Sequence, residues 1–221
     1  MPRKSRWAVP IPEVSLLTVM LGTPTAQLPD KTAFADADDP ERLSMTWIEF
    51  RLWSQRLAAG LIAAGLQQTD RVVIFSPNDV MFPVVFAGVL MAGGIYSSAN
   101  ARYVPRELAY QLQIVEAKFL LTSRENLKVA LDAAKIAGMG REHVFIFDDA
   151  PLERDGSGED DVTEKVRHWK HLIASKTVGG RLAWPELSPE ASKSTTAAIV
   201  FSSGLVTGVK ASHRTEISIL T

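Results

Sequence analysis

Short apolar runs alternate with helix-patterned segments along most of this chain, and that alternation restricts the fold more than any other feature. Residues 71–75, 119–121, 144–147 and 197–201 are apolar runs bounded by turn residues, the pattern of buried strands. Between them lie helical signals. Thr46 and Glu49 have capping-box spacing and open an amphipathic helix with Phe50, Leu52, Trp53, Leu57, Leu61 and Ile62 apolar, stopped by Gly65. Residues 81–92, with Asn78 as cap, are apolar on nearly every side, so that helix must be buried all round. Pro105 fits a first helical turn leading residues 107–116, and Ser123 is placed to cap residues 127–137. Strand, helix and strand in sequence imply right-handed βαβ units: an α/β fold with a mostly parallel sheet flanked by helices.

Composition excludes several classes of function. Of 221 residues 46% are hydrophobic and 22% charged, and a net charge of −1 gives no reason to expect nucleic acid or an anionic membrane as partner. The absence of cysteine removes disulfides, thiol nucleophiles and thiolate metal sites, and fits a cytoplasmic location. The basic start at Arg3, Lys4 and Arg6 is interrupted by Pro10, Pro12 and Glu13, so residues 1–45 are expected to be an extended arm packed on the domain rather than a signal peptide. No run reaches the ~18 uncharged apolar residues of a membrane span; residues 80–95 come closest and contain Pro83. The acidic stretch 148–161 lacks calcium-loop spacing and reads as a solvated loop, with a helix over 162–174. His168 and His171 then share a solvated helix face without a third ligand, and His143 belongs to no ligand set, so no metal site is expected. Trp47 and Trp53 are assigned to the core, and residues 175–195 to a loop that delivers the strand 197–201.

That last strand empties into Ser202-Ser203-Gly204, a small-residue turn of the kind that brings backbone N–H groups and hydroxyls up to a phosphate. Taken alone these residues also fit an ordinary strand-to-helix turn. A Walker-type P-loop fits less well, because its Gly directly precedes the Lys, whereas five residues separate Gly204 from Lys210.

The rest of the chain resolves that choice by resemblance. Residues 196–214, TAAIVFSSGLVTGVKASHR, resemble the nucleotide-phosphate loop of the adenylate-forming (AMP-binding) superfamily, usually Ser-Ser-Gly-Thr-Thr-Gly-Leu-Pro-Lys-Gly-Val followed by Ser/Thr-His-Arg. Thr46-Trp47-Ile48-Glu49-Phe50 is similar to the family's Thr-Tyr-x-Glu-Leu. Gly65-Leu66 with Asp70-Arg71-Val72 resembles Gly-Leu-x-x-Gly-Asp-Arg-Val, with Thr69 in place of its glycine. Ser76-Pro77-Asn78, the helix ending Ala92-Gly93-Gly94, and Ser98-Ala99-Asn100 with Tyr103 and Glu107-Leu108 resemble the blocks that follow. The order is preserved from about Arg6 to the end, and the flavour is that of acyl-CoA synthetases and 4-coumarate–CoA ligases.

The loop departs from the family by three residues. Matching Gly208-Val209 and Ser212-His213-Arg214 removes the Thr-Thr-Gly after Gly204 and puts Val206 and Thr207 where Pro-Lys stands. An ungapped match from Ser202 puts Lys210 on the family lysine and Thr207 on its second glycine. The first keeps the longer stretch intact and is preferred. The resemblance implies nucleotide-phosphate contacts at Ser202, Ser203 and Gly204, with Thr207, Gly208 and Lys210 as further candidates, and a structural role for His213. No catalytic role is given to Asn100 or Tyr103.

By resemblance, the parent reaction activates a small-molecule carboxylic acid, aryl or medium-chain, with ATP and Mg2+ to an acyl-adenylate, then to a CoA thioester. The family's Tyr-Gly-x-Thr-Glu block, ribose-binding aspartate, hinge and C-terminal lysine are not found in these residues. Residues 1–221 are therefore expected to be a truncated, N-terminal part of the large domain, inactive alone, with an apolar patch around residues 81–92 that favours self-association. Leu220-Thr221 is not the peroxisomal address common in this branch, so a peroxisomal location is expected only of a full-length form.

Overall fold

A computed structural model describes residues 10–149, 160–184, 186–201 and 208–220. In chain order it contains α1 (Leu16–Leu21), β1 (Thr32–Ala35), β2 (Ser44–Thr46), α2 (Trp47–Ala63), β3 (Arg71–Phe75), α3 (Phe82–Met91), β4 (Ile95–Ser98) and α4 (Pro105–Ile114). It continues with β5 (Ala117–Thr122), α5 (Leu127–Ala137), β6 (Val144–Ile146), β7 (Arg167–His168), α6 (Lys176–Gly179), α7 (Pro189–Ser194), β8 (Thr196–Phe201), β9 (Gly208–Ser212) and α8 (His213–Leu220). β1 and β2 form a small antiparallel pair; the main sheet has the order β7-β6-β5-β3-β4-β8-β9. It is parallel except for β9, which runs antiparallel to β8.

Successive side chains of a strand point to opposite faces, so a strand apolar throughout must be covered on both. β3 obeys this. Val72 and Ile74 enter a core with α1, α2 and α3, while Val73 and Phe75 enter a second core with α4 and α5. β5 and β6 divide alike, with Phe119, Leu121 and Phe145 on the first face and Leu120, Val144 and Ile146 on the second. The α/β reading holds in this three-layer arrangement.

The α2 capping box forms as its spacing predicts: the Thr46 hydroxyl accepts from Glu49 N at 3.2 Å, and the Glu49 carboxylate accepts from Thr46 N at 2.8 Å. α3 is buried within the chain itself, with Val84, Val85 and Val89 fully enclosed. Gly88 makes this possible, since a Cβ there would stand 2.9 Å from Leu57 Cδ2 of α2. The expected apolar patch on α3 is therefore absent. Among the described residues, exposed apolar side chains include Val104, Tyr110, Ile114 and Ile136 along α4 and α5 and, elsewhere, Val162, Val178 and Val209.

Several local expectations are corrected. The arm is not extended: residues 16–21 form α1, capped by Ser15, whose Oγ accepts from Thr18 N at 3.0 Å. Asn78 does not cap α3; Asp79 accepts from Met81 N at 2.7 Å, and the helix starts one residue before Pro83. Ser123 does not cap α5, and its hydroxyl is buried without a partner. Trp47 and Trp53, by contrast, do pack against the first core as expected, half-buried at its margin, with Trp53 under the Arg56 guanidinium at 4.2 Å. Residues 175–195 contain α6 and α7, each with a serine N-cap.

The predicted helix over 162–174 is β7 followed by a 3₁₀ turn, Trp169–Leu172. His168 is fully buried rather than solvated. Its Nδ1 accepts from Lys170 N at 3.1 Å, so Nε2 carries the proton donated to Asp148 at 2.7 Å. His171 pairs with Asp160 at 3.0 Å, which also accepts from His168 N at 2.7 Å. The two histidines thus fasten the ends of the acidic stretch, whose residues 150–159 lie outside the described ones.

Thr69 explains one departure from the family pattern. Its φ is +67°, a left-handed conformation that a β-branched residue adopts only under strain. The turn is imposed from both sides: Thr69 N donates to Gly93 O at 2.8 Å, and Arg71 donates to Thr69 O, Val115 O and the Glu116 carboxylate. The glycine that the family carries here suits that φ. Thr69→Gly is accordingly expected to stabilise the chain by about 1 kcal/mol, strain relief outweighing the added chain entropy. Urea unfolding measures it, and a drop in midpoint contradicts the strain.

Candidate functional site

Parallel strands bring their carboxyl ends to one edge, and ligands of open α/β sheets bind outside that edge where the strand order reverses. Here β3 leads to β4 on one side, the chain then crosses back to β5 on the other, and β8 later returns to the open side of β4. β8 ends at this edge with Phe201, and β9 begins beside it at Gly208. Ser202, Ser203, Gly204 and Thr207 lie outside the described residues, so two of the six candidates, Gly208 and Lys210, have described positions.

Those two lie in β9. Gly208 is opposite Phe201 and Lys210 opposite Ile199, so both occupy the face of the hairpin that holds Ile199 and Phe201. Gly208 is needed for close approach: a Cβ would come within 2.9 Å of Ile199 Cγ2 and Phe201 Cζ. Lys210 is exposed at the sheet margin.

A buried polar bridge binds the loop-bearing strand to the sheet. β8 and β4 share the register pair Tyr96↔Ala198. Beside it Ser97 Oγ donates to Ile199 O at 2.8 Å, and Gln111 Nε2 donates to Ser97 Oγ and to Ser98 O, both at 3.0 Å. Sequence reading missed both residues. The signal was present in α4, where Leu108, Ala109, Gln111 and Leu112 form the buried face, so Gln111 is a polar residue at an apolar position. Asn100 accepts from Arg102 N at 3.0 Å in the loop after β4, a turn role.

Asp79, just past the carboxyl end of β3, and His213, at the opposite end of the β8–β9 hairpin beside Thr195, have displaced pKa values. Burial, and the nearby Asp149, Asp148 and Asp36, push Asp79 up to about 6, although its bond from Met81 N opposes the shift. Burial pushes His213 down to about 4. Its neutral Nδ1 accepts from Leu16 N at 3.2 Å, in keeping with the structural role expected of it. Burial also raises the Tyr96 hydroxyl well above its ordinary range, so it stays protonated.

The two titrations act on stability in opposite directions. Asp79 favours the folded state when protonated, so its contribution is greatest below pH 3.8 and is lost as pH rises to about 6. His213 is held neutral, so its contribution is present above pH 6.5 and is lost as pH falls to about 4. Each is worth at most about 3 kcal/mol. Relative to the parent chain, Asp79→Asn should gain stability as pH rises from 4 to 6, and His213→Asn should lose its relative advantage as pH rises from 4 to 6.5. Thermal melts across that range test both, and difference slopes of the same sign contradict the assignment.

Comparison with known proteins agrees with this geometry. The AMP-binding enzyme family matches residues 23–209. The chain is 34% identical over 178 residues to the acyl-CoA ligase azaF of Aspergillus niger, covering 79% of this chain and 31% of that protein. It is 33% identical over the same length to the phenylacetyl-CoA ligase epaB of Aspergillus niger, with the same coverage. It is 36% identical to the 4-coumarate–CoA ligase of Pinus taeda over 107 residues, 48% of this chain and 19% of that one. The chain thus spans about a third of the length of the first two relatives. Among solved structures, the long-chain-fatty-acid-CoA ligase of Archaeoglobus fulgidus superposes with a TM-score of 0.73 at 18% identity, over 93% of this chain and 38% of that one. MatB of Rhodopseudomonas palustris, solved with ATP bound, superposes at 0.61 with 23% identity, over 90% of this chain and 35% of that one. The fold is that of adenylate-forming ligases, and the chain belongs to the AMP-binding enzyme family.

Proposed function

We propose that these 221 residues form the nucleotide-phosphate side of an ATP-dependent carboxylic acid–CoA ligase, as a partial AMP-binding domain with residues 1–45 as its N-terminal arm. The observation that carries the reading is the family match across residues 23–209, ending in a hairpin at the carboxyl edge of the parallel sheet. In this reading Ser202, Ser203 and Gly204 offer hydroxyls and N–H groups to the phosphates of Mg2+-bound ATP, with Thr207, Gly208 and Lys210 beside them. The acid's carboxylate attacks the α-phosphorus and expels pyrophosphate; the thiol of CoA then displaces AMP from the acyl-adenylate. Relatives named for phenylacetic and coumaric acids favour an aryl acid as substrate. A location in the cytoplasm fits, and among the described residues no helix is long and apolar enough to cross a membrane.

The same residues supply one wall of the reaction. Stabilising an in-line displacement needs charge on both sides of the α-phosphorus, and the ribose-binding aspartate and C-terminal lysine of the family have no counterpart among these 221 residues. The chain alone is therefore proposed to bind ATP weakly and not to turn it over. The second reading, an inactive remnant, is favoured by the loop that is three residues short.

Two experiments test this. Inserting Thr-Thr-Gly after Gly204 and restoring Pro-Lys at Val206 and Thr207 should raise ATP affinity by two or three charge-assisted hydrogen bonds, about 2–4 kcal/mol. Equal ATP titrations for the two chains would remove the loop from the account. Carboxylate-dependent exchange of labelled pyrophosphate into ATP, across cinnamic, benzoic, phenylacetic and fatty acids, should stay at background for the 221-residue chain. Exchange above background would overturn its inactivity.

A further inference from the structure

The hairpin that carries Gly208 and Lys210 is held from a side that sequence reading assigned no function. On the sheet side its link is the β4–β8 register pair and the Ser97 bridge. On the other side, the start of the described chain is tied to the junction of β9 and α8 by two contacts and to α7 by a third. His213 Nδ1 accepts from Leu16 N at 3.2 Å. The Glu13 carboxylate meets Arg214 of α8 at 2.8 Å and Lys193 of α7 at 2.8 Å. His213 N in turn donates to Thr195 O at 3.2 Å, which joins the junction to the entry of β8. Leu16 and Leu17 are buried beside these contacts, so the segment that supplies them is anchored in the first core.

We propose that residues Glu13–Leu17 are a clamp on the β8–β9 hairpin, with His213 and Glu13 as positioning residues for the strand that bears Gly208 and Lys210. The physical case is one of attachment. A two-stranded hairpin is marginal alone and takes its position from what it packs against. β9 is an edge strand with Val209 and Lys210 exposed, so its own side chains contribute little. Beyond its ladder with β8, further constraint on β9 comes from its ends. At the end of β9 away from Gly208 stands His213, 5% exposed, whose ring is neutral through burial and therefore keeps Nδ1 free to accept. The Leu16 amide lies in the first turn of α1, where a donor has no intrahelical partner, and His213 supplies one. The two ends of the described chain thereby satisfy each other. The consequence for ATP rests on the phosphate-site reading proposed above; the clamp itself does not.

The test separates the two. His213→Phe keeps a ring but loses the acceptor, His213→Asn retains an acceptor near the Nδ1 position, and Glu13→Gln removes the charge from an exposed site. Hydrogen exchange followed by mass spectrometry should show residues 208–217 exchanging at least tenfold faster in His213→Phe and severalfold faster in Glu13→Gln. Rates in β3 and β5 should be unchanged, and His213→Asn should restore protection. Unchanged exchange at 208–217, or acceleration spread equally over β3 and β5, overturns the clamp. ATP titration is the second arm: where the parent chain binds, the Phe and Gln variants should bind at least fivefold more weakly and the Asn variant near parent affinity. Local loosening with unchanged ATP affinity overturns the positioning role. A parent chain that binds no ATP sinks the phosphate-site reading, and exchange alone then decides the clamp.

Discussion

Covering both faces of a parallel sheet is the constraint on which the rest of this structure depends. Parallel strands need crossovers, crossovers put helices on the faces, and strands between two helical layers must be apolar throughout. β3 meets that demand with Val72, Val73, Ile74 and Phe75, all fully buried. α3 meets it from the first layer, with Gly88 admitting Leu57, and α4 and α5 meet it from the second. The cost appears wherever polar backbone must be carried into this interior. At β8 the carbonyl of Ile199 finds the Ser97 hydroxyl, which Gln111 holds in turn. That bridge fixes the strand whose end carries the candidate phosphate loop, so the function proposed here is positioned by a small polar cluster inside an apolar core.

Where periodicity spoke loudly the sequence was readable. The α2 capping box, the helix over residues 127–137 and the strand over residues 71–75 stand where spacing placed them. The misreadings share a physical origin: short elements set by tertiary contacts. β7 has two residues and exists because His168 is buried against Asp148 and Asp160, a pairing invisible to a periodicity that reads 162–174 as a helix. Asn78 and Ser123 are good capping residues in composition, yet α3 and α5 begin three or more residues later, after Met81 and Asn126. Thr69 was legible only as a departure from a family pattern; the reason for the pattern, a positive φ, required coordinates.

The candidate site divides the same way. The strand running into Ser202-Ser203-Gly204 and the resemblance across the chain point to the edge at which we propose the site, and Gly208 has a steric reason to be glycine. The residues that hold this edge in place were not singled out, because each looks unremarkable in sequence: a serine in β4, a glutamine in α4, a glutamate in the N-terminal arm. Their importance lies in partners 102, 14 and 201 positions away. His213 illustrates the limit well. A structural role was assigned to it by exclusion, while its partner, the first turn of α1, lies in a segment expected to be extended.

The most direct test of the central claim, that ATP phosphates meet this chain at the end of β8, is amide chemical-shift mapping of the isotope-labelled 221-residue chain during titration with Mg2+-ATP. Millimolar affinity is sufficient for the measurement, so a shortened loop does not hide the answer. The account predicts perturbations concentrated at residues 202–212 and at the adjoining ends of β4 and β8. Perturbations gathered along α5 near Arg124, Lys128 and Arg141, or none at β9 at saturating nucleotide, would contradict it.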